Sequence, residues 1–312
     1  MSSSPRRFRM LCAGAAMLGT AVIAVAGCAM SETGLLVGQS TMPAKSEMSA
    51  TVSMPAATDA KLEALGVNQL SPVYWLGENG DNVFLYREFL PLKDEGDPVV
   101  TSVKHMLEAA PEDKDYFNCW SPTKRIGATI SANNEITVDI SSDAFARPVD
   151  KGLAERSIQQ LVYTATAAAA NSGLLTGKQE PSVSIVVDGR SGYVAWGAVT
   201  LDRPLKRNQR MRAPLWIIDP AEGSQPGTKV KTFGVTSRFT GGSFYQISPV
   251  ENGKATNPVA KGIIAAPNEL PKDSEFHIEN TLAPGTYELL VWGQNKGSKD
   301  HIATDSKTFT VK

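Results

Sequence analysis

The sequence predicts an α+β domain followed by an all-β sandwich, and three patterns carry that prediction. Residues 71–190 read as strand, strand, helix, strand, strand, helix, strand, which requires helices packed on a sheet. From about residue 214 no helix-period run occurs, and apolar strands recur with turns every ten or so residues. Ahead of both lies an uncharged apolar run ending at Cys28, followed by a stretch with no apolar period. The implied division is 1–27 signal, 28–70 tether, 71–200 first domain, 201–213 basic linker and 214–312 sandwich.

The apolar run from Met10 to Cys28 follows Arg6, Arg7 and Arg9 and closes with Val25-Ala26-Gly27-Cys28. A basic start, an apolar segment and small residues before a break form a secretory signal. The last four residues resemble the bacterial lipobox, in which a peptidase cuts before the cysteine and the new N-terminal cysteine carries diacylglycerol. Small residues fit the peptidase, and only a thiol can form the thioether. Cys28 is therefore the expected lipidation site, and the body is expected to be tied to the extracytoplasmic face of a membrane. The competing reading is an uncleaved membrane span, for which the run is about long enough. Arg6-Arg7-Phe8 lacks the spacer of a twin-arginine signal, so ordinary secretion is favoured.

The 312 residues include 31 Lys and Arg and 32 Asp and Glu. Three basic residues and no acidic ones precede Cys28, leaving 28 against 32 and a net charge of −4. Nucleic-acid binding depends on concentrated Lys and Arg, so this balance argues against it. It also supplies no polybasic patch to reinforce a lipid anchor. With Cys12 lost in the signal and Cys28 acylated, Cys119 stands alone and no intrachain disulfide is expected. Set among Tyr116, Phe117 and Trp120, it reads as a buried structural thiol rather than a nucleophile.

Residues 29–58 are rich in Ser, Thr, Ala, Met, Gly and Pro, too polar and aperiodic to offset their ordering entropy. They are expected to form a disordered tether, with a root-mean-square reach of about 30 Å and an extended length of about 100 Å. Leu62 and Leu65 suggest a short helical turn before Ser71-Pro72 opens the first strand.

In the first domain, Val73-Tyr74-Trp75-Leu76 and residues 83–90 read as two strands around a polar turn over residues 77–82. Asp97-Pro98 is an N-cap acceptor followed by a proline whose missing N–H does no harm there. Val99, Val103, Met106, Leu107 and Ala110 then recur at helical spacing, and Pro111 stops the helix. Residues 124–131 and 135–141 form a hairpin about Ala132-Asn133-Asn134, with Ile136, Val138 and Ile140 on one face. A long helix over 151–171 ends at Gly173, and 183–187 is the last strand. The expectation is a small sheet with helices covering one face.

This run from Val73 to about Arg190 resembles the GerMN domain of bacterial sporulation and germination proteins and of actinobacterial lipoproteins. The matching pieces are Val-Phe-Leu-Tyr-Arg-Glu from Val83, Glu-Ile-Thr-Val-Asp-Ile-Ser from Glu135, Gln-Gln-Leu-Val-Tyr-Thr-Ala-Thr from Gln159 and Val-Ser-Ile-Val-Val-Asp-Gly from Val183, together with the short helix. The loop over 112–121 departs from the family pattern, carrying Tyr116-Phe117-Asn118-Cys119-Trp120. GerMN domains are similar to ring-building domains of secretion and sporulation machinery, so the resemblance implies a scaffold or adaptor and transfers no catalytic residue. Contact positions are sought in that loop and on the helix around Gln159.

Arg203, Lys206, Arg207, Arg210 and Arg212 make residues 201–213 the one basic cluster, read as a solvated linker or a contact to anionic lipid or wall polymer. Beyond it, strands are predicted at 215–218, 229–239, 243–250, 275–279, 286–292 and 308–311. Ala283-Pro284-Gly285-Thr286-Tyr287 looks like the corner tyrosine of immunoglobulin-like domains, whose phenol bonds backbone across the corner. The segment also resembles the immunoglobulin-like module that often follows GerMN.

No pair among His105, His277 and His301 has metal-ligand spacing, no Gly-x-Ser-x-Gly elbow exists, and Gly241-Gly242-Ser243 lacks the following helix of a phosphate cradle. Asp94-Glu95 and Glu112-Asp113 fall in predicted loops as solvated pairs, although two carboxylates facing across a cleft stay compatible with the sequence. Trp75, Trp120, Trp196, Trp216 and Trp292 sit mostly in apolar strands and read as core, with a sugar-stacking platform as the competing reading. The chain is thus expected to be a non-enzymatic envelope lipoprotein without cofactor or metal. Its partner is an envelope protein or wall polymer; the alternative is a small ligand or wall fragment held between the two domains.

Overall fold

The computed structural model describes residues 51–53, 70–93, 96–266 and 273–312. Cys28, the signal, nearly all of the tether, the turn around Leu62 and the pair Asp94-Glu95 lie outside them. One correction to the tether follows at once, since Thr51–Ser53 is a strand, β1. All described residues belong to one compact unit, Ser46–Lys312.

Strands β2 (Ser71–Asn79) and β3 (Asn82–Leu90) form an antiparallel hairpin. The turn is tighter than the polar run 77–82 suggests, because Gly80 adopts φ 59° and closes it in two residues. Helix α1 (Pro98–Glu108) follows, with the Asp97 carboxylate accepting from the N–H groups of Val99 and Val100. The short β4 (Tyr116–Phe117) pairs with the far side of β2. A second sheet contains β5 (Ile126–Ile130), β6 (Glu135–Ile140) and β7 (Ser182–Val187). Between β6 and β7 runs α2 (Lys151–Asn171). β7 is parallel to β6, and parallel neighbours need such a crossover.

The expected single sheet with helices on one face is therefore two three-stranded sheets, and α2 is enclosed by its surroundings. Every residue from Ser157 to Ala169 is buried, including the five polar ones Ser157, Gln159, Gln160, Thr164 and Thr166. Two of them finish the sheet edge. The backbone N–H of Tyr74 donates to Thr164 Oγ1 at 3.1 Å, and Gln160 Nε2 donates to the Tyr74 carbonyl at 2.9 Å. Beyond β4, side chains of α2 thus replace the strand that β2 lacks. The alanines Ala165 and Ala167 to Ala169 keep this face slim enough for close packing.

The basic segment is a strap, which corrects its reading as a solvated linker. Leu205 exchanges two backbone bonds of 2.8 Å with Val183. Gln159 of α2 donates to the Lys206 carbonyl and accepts from the N–H of Asn208. Arg207 donates to Thr166 Oγ1 and to the Tyr163 carbonyl, with its guanidinium 4.6 Å from the Tyr163 ring centre. Arg212 is buried with its guanidinium 5.3 Å from the ring of Trp216. Arg203, Lys206 and Arg210 are exposed. A small hairpin not foreseen from the sequence, β8 (Tyr193–Ala195) and β9 (Val199–Leu201), precedes the strap.

The remaining strands build the sandwich. One sheet has the order β1, β15 (Asp273–Thr281), β11 (Lys229–Ser237), β10 (Leu215–Asp219). The other has the order β13 (Lys254–Ala255), β12 (Gly242–Glu251), β16 (Gly285–Gln294), β17 (Ile302–Val311), with β14 (Ala260–Ala265) also on β12. Tyr245, Leu289, Phe276 and Phe309 fill the space between the sheets. At the predicted corner the Tyr287 hydroxyl donates to the Ala283 carbonyl at 3.0 Å. Trp216 and Val235, from β10 and β11, pack into the core of the α+β half, so the two halves share apolar surface.

Candidate functional site at the junction of the two halves

Four of the six buried charged side chains among the described residues, Glu88, Asp113, Asp305 and Lys307, meet at the junction. Along β17 the inward positions are Ala303, Asp305, Lys307, Phe309 and Val311, placing two charged side chains in register with core residues. Lys307 donates to Asp113, in the loop between α1 and β4, and to the Tyr116 hydroxyl at 2.8 Å. Its ammonium lies 4.2 Å from the Tyr116 ring centre and 3.8 Å from Asp305 Oδ1. Asp305 accepts from the Tyr116 hydroxyl through one oxygen and from the Ile217 N–H through the other, each at 2.7 Å. Glu88 completes the shell by accepting from the backbone N–H groups of Glu112 and Asp113.

Burial pushes the Asp305 carboxyl up to about 6, against the opposing pull of Lys307 and its two donors. Burial also raises Glu88 and Tyr116. For Lys307 burial works to lower the pKa, but the charges of Asp305 and Asp113 outweigh it and hold the ammonium charged. Both Asp305 oxygens are engaged by protein donors, so its raised pKa reflects desolvation within a satisfied network. A general acid would instead offer its proton to a substrate.

Beside this network is a cleft of about 260 Å³ lined by Glu78, Tyr86, Asp115, Tyr116, Leu290 and Ser306, among others. Tyr86 and Tyr116 stack within it, with centroids 4.7 Å apart and planes 21° apart. Ser306 donates to Asp115, and Asn79 Nδ2 bridges the Tyr86 hydroxyl and the Thr304 carbonyl. The arrangement clamps the halves together and leaves a shallow acidic cleft at the seam.

The residues singled out by sequence are distributed differently. Asp113 is not solvated, since only 3% of it is exposed. Tyr116, Cys119, Trp120 and Gln159 are buried, so neither the 112–121 loop nor the helix around Gln159 offers them as a free surface. Burial raises the Cys119 thiol pKa, the opposite of nucleophile activation. Trp75, Trp120 and Trp216 are core. Trp196, at φ 50°, packs on Trp120 and Phe145. Trp292 stacks against His301 at 4.2 Å and 14°, which covers the open ring face a sugar platform needs. His277 stacks on Phe233, and burial lowers the pKa of His105 beside Trp75. Among the described residues no group of three or more His, Cys, Asp or Glu is arranged to hold a metal ion, and no helix is long and apolar enough to cross a membrane.

Asp305, Lys307 and Asp113 are the site residues that sequence reasoning missed. A signal for two of them was present. Asp305 and Lys307 have the same parity as Phe309 and Val311 in a strand, which places them on the buried face.

With this geometry in view, residues 72–192 match the family model described as Germane, sporulation and spore germination. The α+β half matches the GerMN type, and is called the GerMN-type domain on that match. The tandem GerMN domains of the sporulation protein GerM from Bacillus subtilis are similar at 18% identity and a TM-score of 0.35, covering 47% of this chain and 50% of that one. This chain thus spans half the length of that tandem structure. The first GerMN domain of the same protein gives 10% identity and a TM-score of 0.34, covering 45% of this chain and 98% of that one. SSP-19, an MSP-domain protein like family member in Caenorhabditis elegans, gives 16% identity and a TM-score of 0.18, covering 30% of this chain and 95% of that one. No curated protein sequence matches the chain. The GerMN-type domain contributes Asp113, Tyr116 and Glu88 to the junction, and the sandwich contributes Asp305 and Lys307.

Proposed function

We propose that this chain is a non-catalytic envelope scaffold, anchored through lipid on Cys28 at the extracytoplasmic face of a membrane, whose GerMN-type domain docks on a protein or wall polymer. The observation that carries the reading is the Asp113–Lys307–Asp305–Tyr116 network. It commits buried charged groups from both halves to the seam between them, as suits a rigid spacer that presents a binding domain. The lipobox-like Val25-Ala26-Gly27-Cys28 supports the anchor. The test is in-cell photocrosslinking of the full chain with probes at Leu174 and Val194, two exposed apolar residues of the α+β half. One dominant protein adduct, or adducts to wall fragments, supports docking. No adduct at either position, or turnover of wall material abolished by a point substitution, overturns it.

The acidic cleft beside Tyr86 and Tyr116 favours a second reading, capture of a small ligand between the halves. A rise in melting temperature across a metabolite panel, lost in Tyr86→Ala, supports that reading, and a flat panel removes it.

A further inference from the structure

The strand β1 precedes the GerMN-type domain in the chain, yet it pairs with the sandwich. Thr51, Val52 and Ser53 lie antiparallel to His277, Phe276 and Glu275 of β15. The other edge of β15 is filled along its whole length by β11, so β1 occupies the outer edge of that sheet. Covalent connection does not force this placement. Residues 54–70 can span roughly 55–60 Å when extended, enough to leave β1 free of the sandwich altogether. The pairing therefore rests on the strand itself. Pro43 and Pro55 bracket the run, and a proline can neither donate to a ladder nor sit within a central strand. The same residues confine pairing to the stretch between them.

We infer that residues 51–53 are a docking strand that pins the N-terminal segment to the β15 edge of the same molecule. Three paired residues are a marginal ladder. Attachment to the body raises their local concentration to the millimolar range, which favours pairing within one chain over pairing between chains. The strand also covers an exposed edge that would otherwise be a template for association. Its consequence for the membrane rests on the proposed anchor at Cys28. The chain between Cys28 and the docked strand is then residues 29–50, which can span at most about 75 Å. The chain leading to the lipid leaves from the sandwich, and the GerMN-type domain is carried beyond it.

The test is a disulfide between registered positions in the full chain, Thr51→Cys with His277→Cys, since residues opposite each other in a ladder meet the distance a disulfide requires. Mild oxidation followed by peptide mass spectrometry is expected to show an intramolecular bond in the monomer. Thr51→Cys with Lys231→Cys, a β11 position paired to Glu279 and away from β1, is expected to show none. A linked dimer means strand exchange between copies and overturns the proposal, as does equal linking in both pairs or none in either. Val52→Pro provides a second measure without new cysteines. Amides of residues 275–277 that point away from β11 are expected to exchange roughly tenfold faster with solvent while the β11 ladder stays protected, and unchanged exchange counts against the strand. The mass of the N-terminal peptide separately reports lipid on Cys28, so loss of the anchor and loss of the pairing are distinguishable.

Discussion

Lys307, in the last strand of the sandwich, forms a buried ion pair with Asp113 in the loop that follows the first helix of the GerMN-type domain. The two side chains are 3% and 5% exposed, so neither charge is screened by water. Taking either away leaves the other uncompensated. Lys307→Met is accordingly expected to lower the unfolding free energy by about 3–5 kcal/mol, measured by urea denaturation at neutral pH. A loss under about 1 kcal/mol would place the pair among solvated surface bridges.

The same network sets a pH dependence. The folded Asp305 carboxyl titrates at about 6, above the unfolded value of about 3.9. Between those values the folded state holds a proton that the unfolded state has lost. Stability is therefore greatest below the unfolded value and falls as pH rises through about 6, by roughly 2–3 kcal/mol for this group. Glu88, Glu222 and Glu288 are raised by burial and push in the same direction. Denaturation midpoints from about pH 4 to pH 6.5 are expected to decline in the parent and to decline less in Asp305→Asn. Parallel curves would remove Asp305 as the source.

Tyr287→Phe isolates the corner. The substitution keeps the ring between the sheets and deletes only the hydroxyl bond to the Ala283 carbonyl. A loss of about 0.5–1.5 kcal/mol is expected, read as a lower denaturation midpoint with an unchanged slope. No change would mean that water satisfies the carbonyl equally well.

Gly234 tests how closely the sandwich is packed. A Cβ there would lie 2.4 Å from Phe276 Cζ and 2.5 Å from the Trp216 carbonyl oxygen. The backbone oxygen cannot step aside as a flexible side chain would. Gly234→Ala is expected to cost about 1–3 kcal/mol or more, and a melting temperature within a degree of the parent would contradict the close approach.

Much of the fold was legible because local periodicity is written in the order of residues. The N-cap at Asp97, the helix Lys151–Asn171, the alternation of Ile136, Val138 and Ile140, and the Tyr287 corner all follow from which neighbours sit two, three or four positions apart. The candidate site was not legible in the same way. Asp113 read as a solvated loop residue because its partner lies 194 positions away, and nothing near it in the chain signals burial.

By itself the sequence determined the two-part α+β and β-sandwich class and the match of the first part to the GerMN type, since both rest on short-range patterns of apolar and turn residues. Tertiary structure decided the rest. It alone buried the long helix against the edge of β2, turned the basic segment into a strap and placed Thr51–Ser53 on the sandwich edge. It also brought Asp113, Tyr116, Asp305 and Lys307 together, because the free energy of a buried charge depends on which distant groups surround it.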